Sequence, residues 1–125
     1  MDNQSYGMEL ILDLHSCDNK KFTRRHIKFF MKVLCEKIDM QRGPLYFWDD
    51  KWVPWFWKQT EPHLKGTTAI QFIMTSNITI HTLDLQHAVR LNIFSCKSFD
   101  ENQVEAYASL FFSGKVVNKQ LLTRY

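Results

Sequence analysis

A chain of 125 residues, 45% of them hydrophobic, can build one domain with a small core that association could enlarge, so residues 1–125 are read as a single domain. Its 16 basic against 13 acidic residues leave a formal charge of +3, a mild excess that does not mark a dedicated nucleic-acid binder, and nucleic acid is not expected as a partner. Three widely spaced cysteines, Cys17, Cys35 and Cys96, form no C-x-x-C pair; they suggest neither a disulfide framework nor a zinc site, and they fit a reducing cytoplasm. The polar start "MDNQSYG" lacks the charge and apolar run of a signal peptide, and no later stretch approaches the ~20 apolar residues of a membrane span.

In chain order, "MELILDL" alternates Met8, Leu10, Leu12 and Leu14 against Glu9 and Asp13, the pattern of a half-buried strand. A polar break follows. From Thr23, a residue suited to an N-cap, Ile27, Phe30, Met31, Leu34 and Ile38 recur at helical spacing and predict an amphipathic helix to about Asp39. "QRGP" marks a turn and "LYFW" a short second strand, whereas "DDKWVPWFWKQTEPHLKG" has two prolines and no period and reads as a long structured loop. "TTAIQFIMT", "NITIHT" and "AVRLNIFSC" predict three further strands, the first two joined around Ser76 and Asn77. Asp100 with Gln103 has the form of a capping box, Val104, Tyr107, Ala108 and Phe111 make a helical stripe ending at Gly114 as C′ residue, and "KVVNKQLLT" is a last strand. The order predicts an α+β two-layer sandwich, its sheet largely antiparallel with two helices packed on one face.

Singly, the reactive residues have ordinary explanations. Ser76 is a common turn former, His81 suits a satisfied sheet histidine, and Cys96 a small buried hydrophobe. Together they suggest more, because His81 follows Ser76 by five positions and Cys96 ends the neighbouring strand, so a nucleophile, a base and a thiol could meet at one rim of the sheet. No acid that would orient the histidine, as a Ser-His-Asp triad needs, stands nearby in sequence.

These residues resemble the small prokaryotic S-adenosylmethionine decarboxylase proenzymes. That family has a Ser-x-x-x-x-His-Thr segment followed by Phe-Thr-Cys at the end of the next strand, and Ser76, His81, Thr82, Phe94, Ser95 and Cys96 fall at those positions in register. Gly66 and Thr68 match an upstream Gly-x-Ser, and "ELILDLHSCD" is similar near the start. The resemblance spans most of Gly66 to Tyr125 and the first strand through Asp18, while Gln41 to Lys65 does not align.

The resemblance implies a self-cleaving proenzyme. The Ser76 hydroxyl would attack the Thr75 carbonyl to give an ester, and Thr68 would stabilise the oxyanion formed on the way. His81 would help remove the Ser76 α-proton so that the ester is eliminated, leaving dehydroalanine that hydrolyses to a pyruvoyl group and cleaving the chain into a β chain, residues 1–75, and an α chain, residues 76–125. Such a group forms a Schiff base with a small amino-acid substrate and accepts the charge left by decarboxylation, with Cys96 returning the proton. No metal is implied, and a homodimer of cleaved protomers is.

The sequence departs from the family at Thr75, where Glu is usual, and at Leu83 and Leu85, which replace an aromatic residue and the glutamate that holds the substrate ribose. Asp13, Asp84 or Gln86 would then take over ribose binding, or the substrate would be arginine or ornithine, which relatives of the same fold decarboxylate. A paralogue that binds a ligand or partner without processing is the remaining reading. Trp48, Trp52, Trp55 and Trp57 cluster with Tyr46, Phe47 and Phe56, either as loop or dimer packing or as a lid that stacks on adenine. The basic run "KKFTRRH" opposes the dipole of the helix it begins and reads as a solvated face rather than a single-strand binding surface.

Overall fold

The computed structural model describes residues 5–50, 54–61 and 65–125. β1 (Gly7–His15) leads through a single 3₁₀ turn at Asn19–Lys21 into α1 (Arg24–Lys37). β2 (Arg42–Trp48), β3 (Gly66–Ile73), β4 (Ser76–Leu83) and β5 (Ala88–Ser95) follow, then α2 (Glu101–Phe112) and β6 (Lys115–Arg124). The six strands form one sheet in the order β2-β3-β4-β5-β1-β6, with every neighbouring pair antiparallel. This is the expected α+β sandwich.

Alternation decides the faces. Leu10, Leu12 and Leu14 pair with Ile93, Leu91 and Val89, and these in turn with Ile78, Ile80 and Thr82, so one side of the sheet is a continuous buried surface. Both helices cover that side. Thr23 caps α1 by accepting from the His26 N–H, a contact worth about 1 kcal/mol, and Ile27, Phe30, Met31 and Leu34 point inward. Val104, Ala108 and Phe112 of α2 do the same. Phe30 joins the helices, its ring 5.1 Å from Tyr107 and 4.8 Å from Phe112.

Three boundaries differ from expectation. The β3–β4 turn is Met74 and Thr75, not Ser76 and Asn77, because keeping Ile78 and Ile80 on the core side against β5 and pairing Ile73 with Ser76 leaves Ser76 inside the strand. The "QRGP" segment is mostly strand: β2 begins at Arg42, its register shifts between Arg42 and Leu45, and Gln71 Nε2 donates to the Gly43 carbonyl oxygen at 2.9 Å there. At the end of α2 the left-handed residue is Ser113, with φ of 52°, one place before the expected Gly114. Gly114 serves another purpose, since a Cβ there would collide with the Cys17 sulfur. The tryptophan-rich loop contains a 3₁₀ turn at Trp55–Trp57 whose rings are exposed; Trp52 lies outside the described residues.

The other side of the sheet is covered by no helix among the described residues. It carries one polar row across the strands, Asn118, Asp13, Arg90, His81 and Thr68 in register, flanked by the exposed rings of Tyr46, Trp48 and Phe72. No helix among the described residues is long and apolar enough to cross a membrane.

Candidate active site

Thr75 and Ser76 stand where β3 turns into β4, beside the end of β5. Thr75 has φ of 58°, and of the five non-glycine residues with positive φ among the described residues it alone is β-branched. Met74 keeps a negative φ, so the turn has the sign pattern of a type II turn, in which glycine or asparagine normally takes the second position. A β-branched residue there holds strain on the order of 1–3 kcal/mol, next to the peptide bond expected to break.

The geometry ties this turn to Cys96. The Ser76 hydroxyl, almost fully buried, accepts from the Cys96 backbone N–H at 2.9 Å, and Thr75 Oγ1 lies 2.8 Å from Cys96 Sγ. Thr75 Oγ1 also donates to the Met74 carbonyl oxygen at 2.7 Å. The bend after Cys96 is fixed by Ser95, which donates to the Lys97 carbonyl oxygen at 2.6 Å and accepts from the Lys97 N–H at 3.0 Å. This accounts for a hydroxyl residue just before the cysteine.

Hydrogen bonding with the Thr75 and then the Ser76 side chain holds the Cys96 thiol below the usual thiol range. Burial pushes Cys17 and Cys35 the other way, each up to about 11. Thiolate is the reactive form, so iodoacetamide at about pH 8 should alkylate Cys96 and spare Cys17 and Cys35, with the adduct located by peptide mass mapping. Because a proton donor works only when protonated, a step that depends on Cys96 should lose rate as pH rises through its lowered pKa, earlier than for an unperturbed thiol. Adducts spread evenly over the three cysteines would contradict this electrostatic assignment.

His81 does not share that rim within one protomer. It lies five residues along β4 from Ser76, about 16 Å at ~3.3 Å per residue, and odd spacing turns it to the uncovered face. There His81 Nδ1 and Thr68 Oγ1 are 2.9 Å apart. The expected catalytic and processing residues therefore fall into two pairs, Ser76 with Cys96 and Thr68 with His81. Asp13 belongs to the second group: it accepts from Asn118 Nδ2 at 3.0 Å and faces Arg90 NH1 at 3.6 Å, in the row that contains His81. Asp84 lies just beyond the far end of β4, its carboxyl pushed above the usual range by burial, and does not approach Ser76.

Sequence reasoning missed the residues that β1 brings to the rim. A cavity of about 370 Å³ opens beside Cys96, lined also by Tyr6, Met8, Ser98 and Leu121. Tyr6 is half-exposed and stacks on Phe94 at 6.1 Å. A Cβ on Gly7 would collide with the Ser95 carbonyl oxygen, so only glycine lets β1 lie this close to Cys96. That glycine was the one available signal. Among the described residues no three His, Cys, Asp or Glu side chains converge as a metal site would need.

A two-layer sandwich with a serine-bearing hairpin and a strand-end cysteine at one rim defines the fold class and the candidate site. The sequence pattern of the S-adenosylmethionine decarboxylase family matches residues 8–125, and the chain belongs to that family. A solved structure, the adenosylmethionine decarboxylase from Aquifex aeolicus, superposes with a TM-score of 0.77 over 98% of this chain and 92% of that one, at 15% identity. No curated protein sequence matches the chain significantly.

Proposed function

We propose that the protein is a self-processing, pyruvoyl-dependent decarboxylase acting on S-adenosylmethionine in polyamine synthesis. The observation that carries this reading is the contact set at one turn, where the strained Thr75 peptide, the Ser76 hydroxyl and the Cys96 thiol lie within hydrogen-bond reach. The Cys96 N–H fixes the Ser76 oxygen next to its own peptide bond. Attack on the Thr75 carbonyl exchanges an amide for an ester and releases the backbone strain. His81 of a second copy takes the Ser76 α-proton as the Thr75 carboxylate leaves, and the dehydroalanine left at position 76 takes up water and loses ammonia to become the pyruvoyl group.

The residues fit the group that such cleavage leaves at position 76. It would stand beside Cys96, at the start of β4, and supply an electron sink for the charge left by loss of carbon dioxide. Cys96 is placed to return a proton to substrate, and Tyr6 offers a flat apolar ring on the cavity wall.

The separation of Thr68 and His81 from Ser76 supports a homodimer in which the uncovered faces meet and each copy supplies its Thr68–His81 pair to the other. Trp48, 82% exposed, and Tyr46, 63% exposed, would be covered in such an assembly. Asp13, in the row with His81, is the better candidate for a polar substrate contact than Asp84. Free Cys17, Cys35 and Cys96 suit a reducing, cytoplasmic setting.

Purified protein should release labelled carbon dioxide from carboxyl-labelled S-adenosylmethionine and none from arginine or ornithine. Release from either of the latter alone would transfer the assignment to that substrate, as the exposed Leu85 in place of an acid allows. No release from any of them would leave a ligand-binding relative.

A further inference from the structure

The helical layer, on the far side of the sheet from the polar row, contains a groove that the decarboxylase reading does not use. It encloses about 830 Å³ and is lined by Lys21, Arg25, Lys28, Lys32 and Arg42, with Phe29 and Phe111 in its wall and no carboxylate. None of these five cations makes an ion pair among the described residues, whereas Arg24, Arg90, Lys97, Lys119 and Arg124 all do. A net charge of only +3 thus conceals a local concentration of one sign.

The placement works against the helix. Arg25 sits in the first turn of α1, which holds no acidic residue, where positive charge opposes the macrodipole. Arg25, Lys28 and Lys32 follow at spacings that bring like charges together on one face. An anionic ligand would relieve both repulsions. The three cations span about 10 Å along the helix, room for two or three consecutive phosphates.

We propose that this groove binds a segment of single-stranded nucleic acid. Phosphates would lie along Arg25, Lys28 and Lys32, and a base would stack on Phe29, which is 56% exposed and itself stacked on Phe111 at 6.3 Å. Lys21, 5.2 Å above the Phe111 ring, closes one side. The groove is partly open to solvent rather than an enclosed cavity, which leaves room for a chain to lie across it.

The test is fluorescence anisotropy of the full-length protein with a labelled oligouridylate. Saturable binding should weaken with salt, log K falling against log salt with a slope of about −2, as three phosphate contacts on a single strand imply. The double substitution Lys28→Glu and Lys32→Glu should weaken binding at least about tenfold and flatten that slope. Phe29→Ala should weaken it about fivefold or more with the slope unchanged. All three side chains are exposed, and an unchanged melting temperature and decarboxylation rate would separate this loss from misfolding. Absence of saturable binding, indifference to charge reversal, equal displacement by inorganic tripolyphosphate with no effect of Phe29→Ala, or binding to anionic vesicles alone would each overturn the proposal.

Discussion

Ser76→Ala should leave a single intact chain of 15.0 kDa on denaturing mass spectrometry, where the parent yields residues 1–75 and a pyruvoyl-blocked fragment 76–125. The effect should be complete, because no other nucleophile can replace that hydroxyl. Cys96, the nearest alternative, has its sulfur on Thr75 Oγ1 and belongs to another strand. The substitution removes the acceptor for the Cys96 N–H, a loss of about 1 kcal/mol at a rim that water can reach, so the uncleaved chain should still fold. An uncut parent would withdraw the processing reading and favour a binding role for the same fold.

Co-expression of Ser76→Ala and His81→Ala chains should restore prompt cleavage of the His81→Ala chain, although alone the first variant does not cleave and the second cleaves only slowly. Alone, His81→Ala should slow processing by ~10²–10⁴, the usual contribution of a positioned acid–base group. Random pairing in a two-fold dimer places about half of the His81→Ala chains beside a partner that retains its histidine, so about half should be cut. The expectation rests on strand parity and length, because Ser76 and His81 are five residues apart on one strand and so lie on opposite faces. The His81 that serves a given Ser76 would then come from another copy. If mixing restored nothing, the assembly proposed on the uncovered face would be wrong.

Much of the fold was legible in the sequence because local patterning and tertiary demand agree. The alternation of Leu10, Leu12 and Leu14 and the helical spacing of Ile27, Phe30, Met31 and Leu34 each define a buried face that the structure uses. The β3–β4 turn was misread because Ser76 and Asn77 have turn chemistry and Met74 and Thr75 do not; the register across β4 and β5 overrode that preference. The pairing of Ser76 with Cys96 could be foreseen from strand order. The isolation of His81 followed from a period of two and was open to view, whereas the roles of Tyr6 and Gly7 depend on β1 lying against β5, a contact between distant parts of the chain.

The place of β1 in the sheet has a consequence for the cleaved form proposed here. The N-terminal fragment would carry β1, α1, β2 and β3, and the C-terminal fragment β4, β5, α2 and β6; yet β1 lies between β5 and β6. The two products would be interlocked, the shorter one gripping a strand of the longer on both of its edges while β3 and β4 stay paired along their length. Before the cut, folding is an affair of one molecule. Afterwards it would be a meeting of two, so maturation would turn a reversible fold into an assembly that, once pulled apart, depends on encounter to form again.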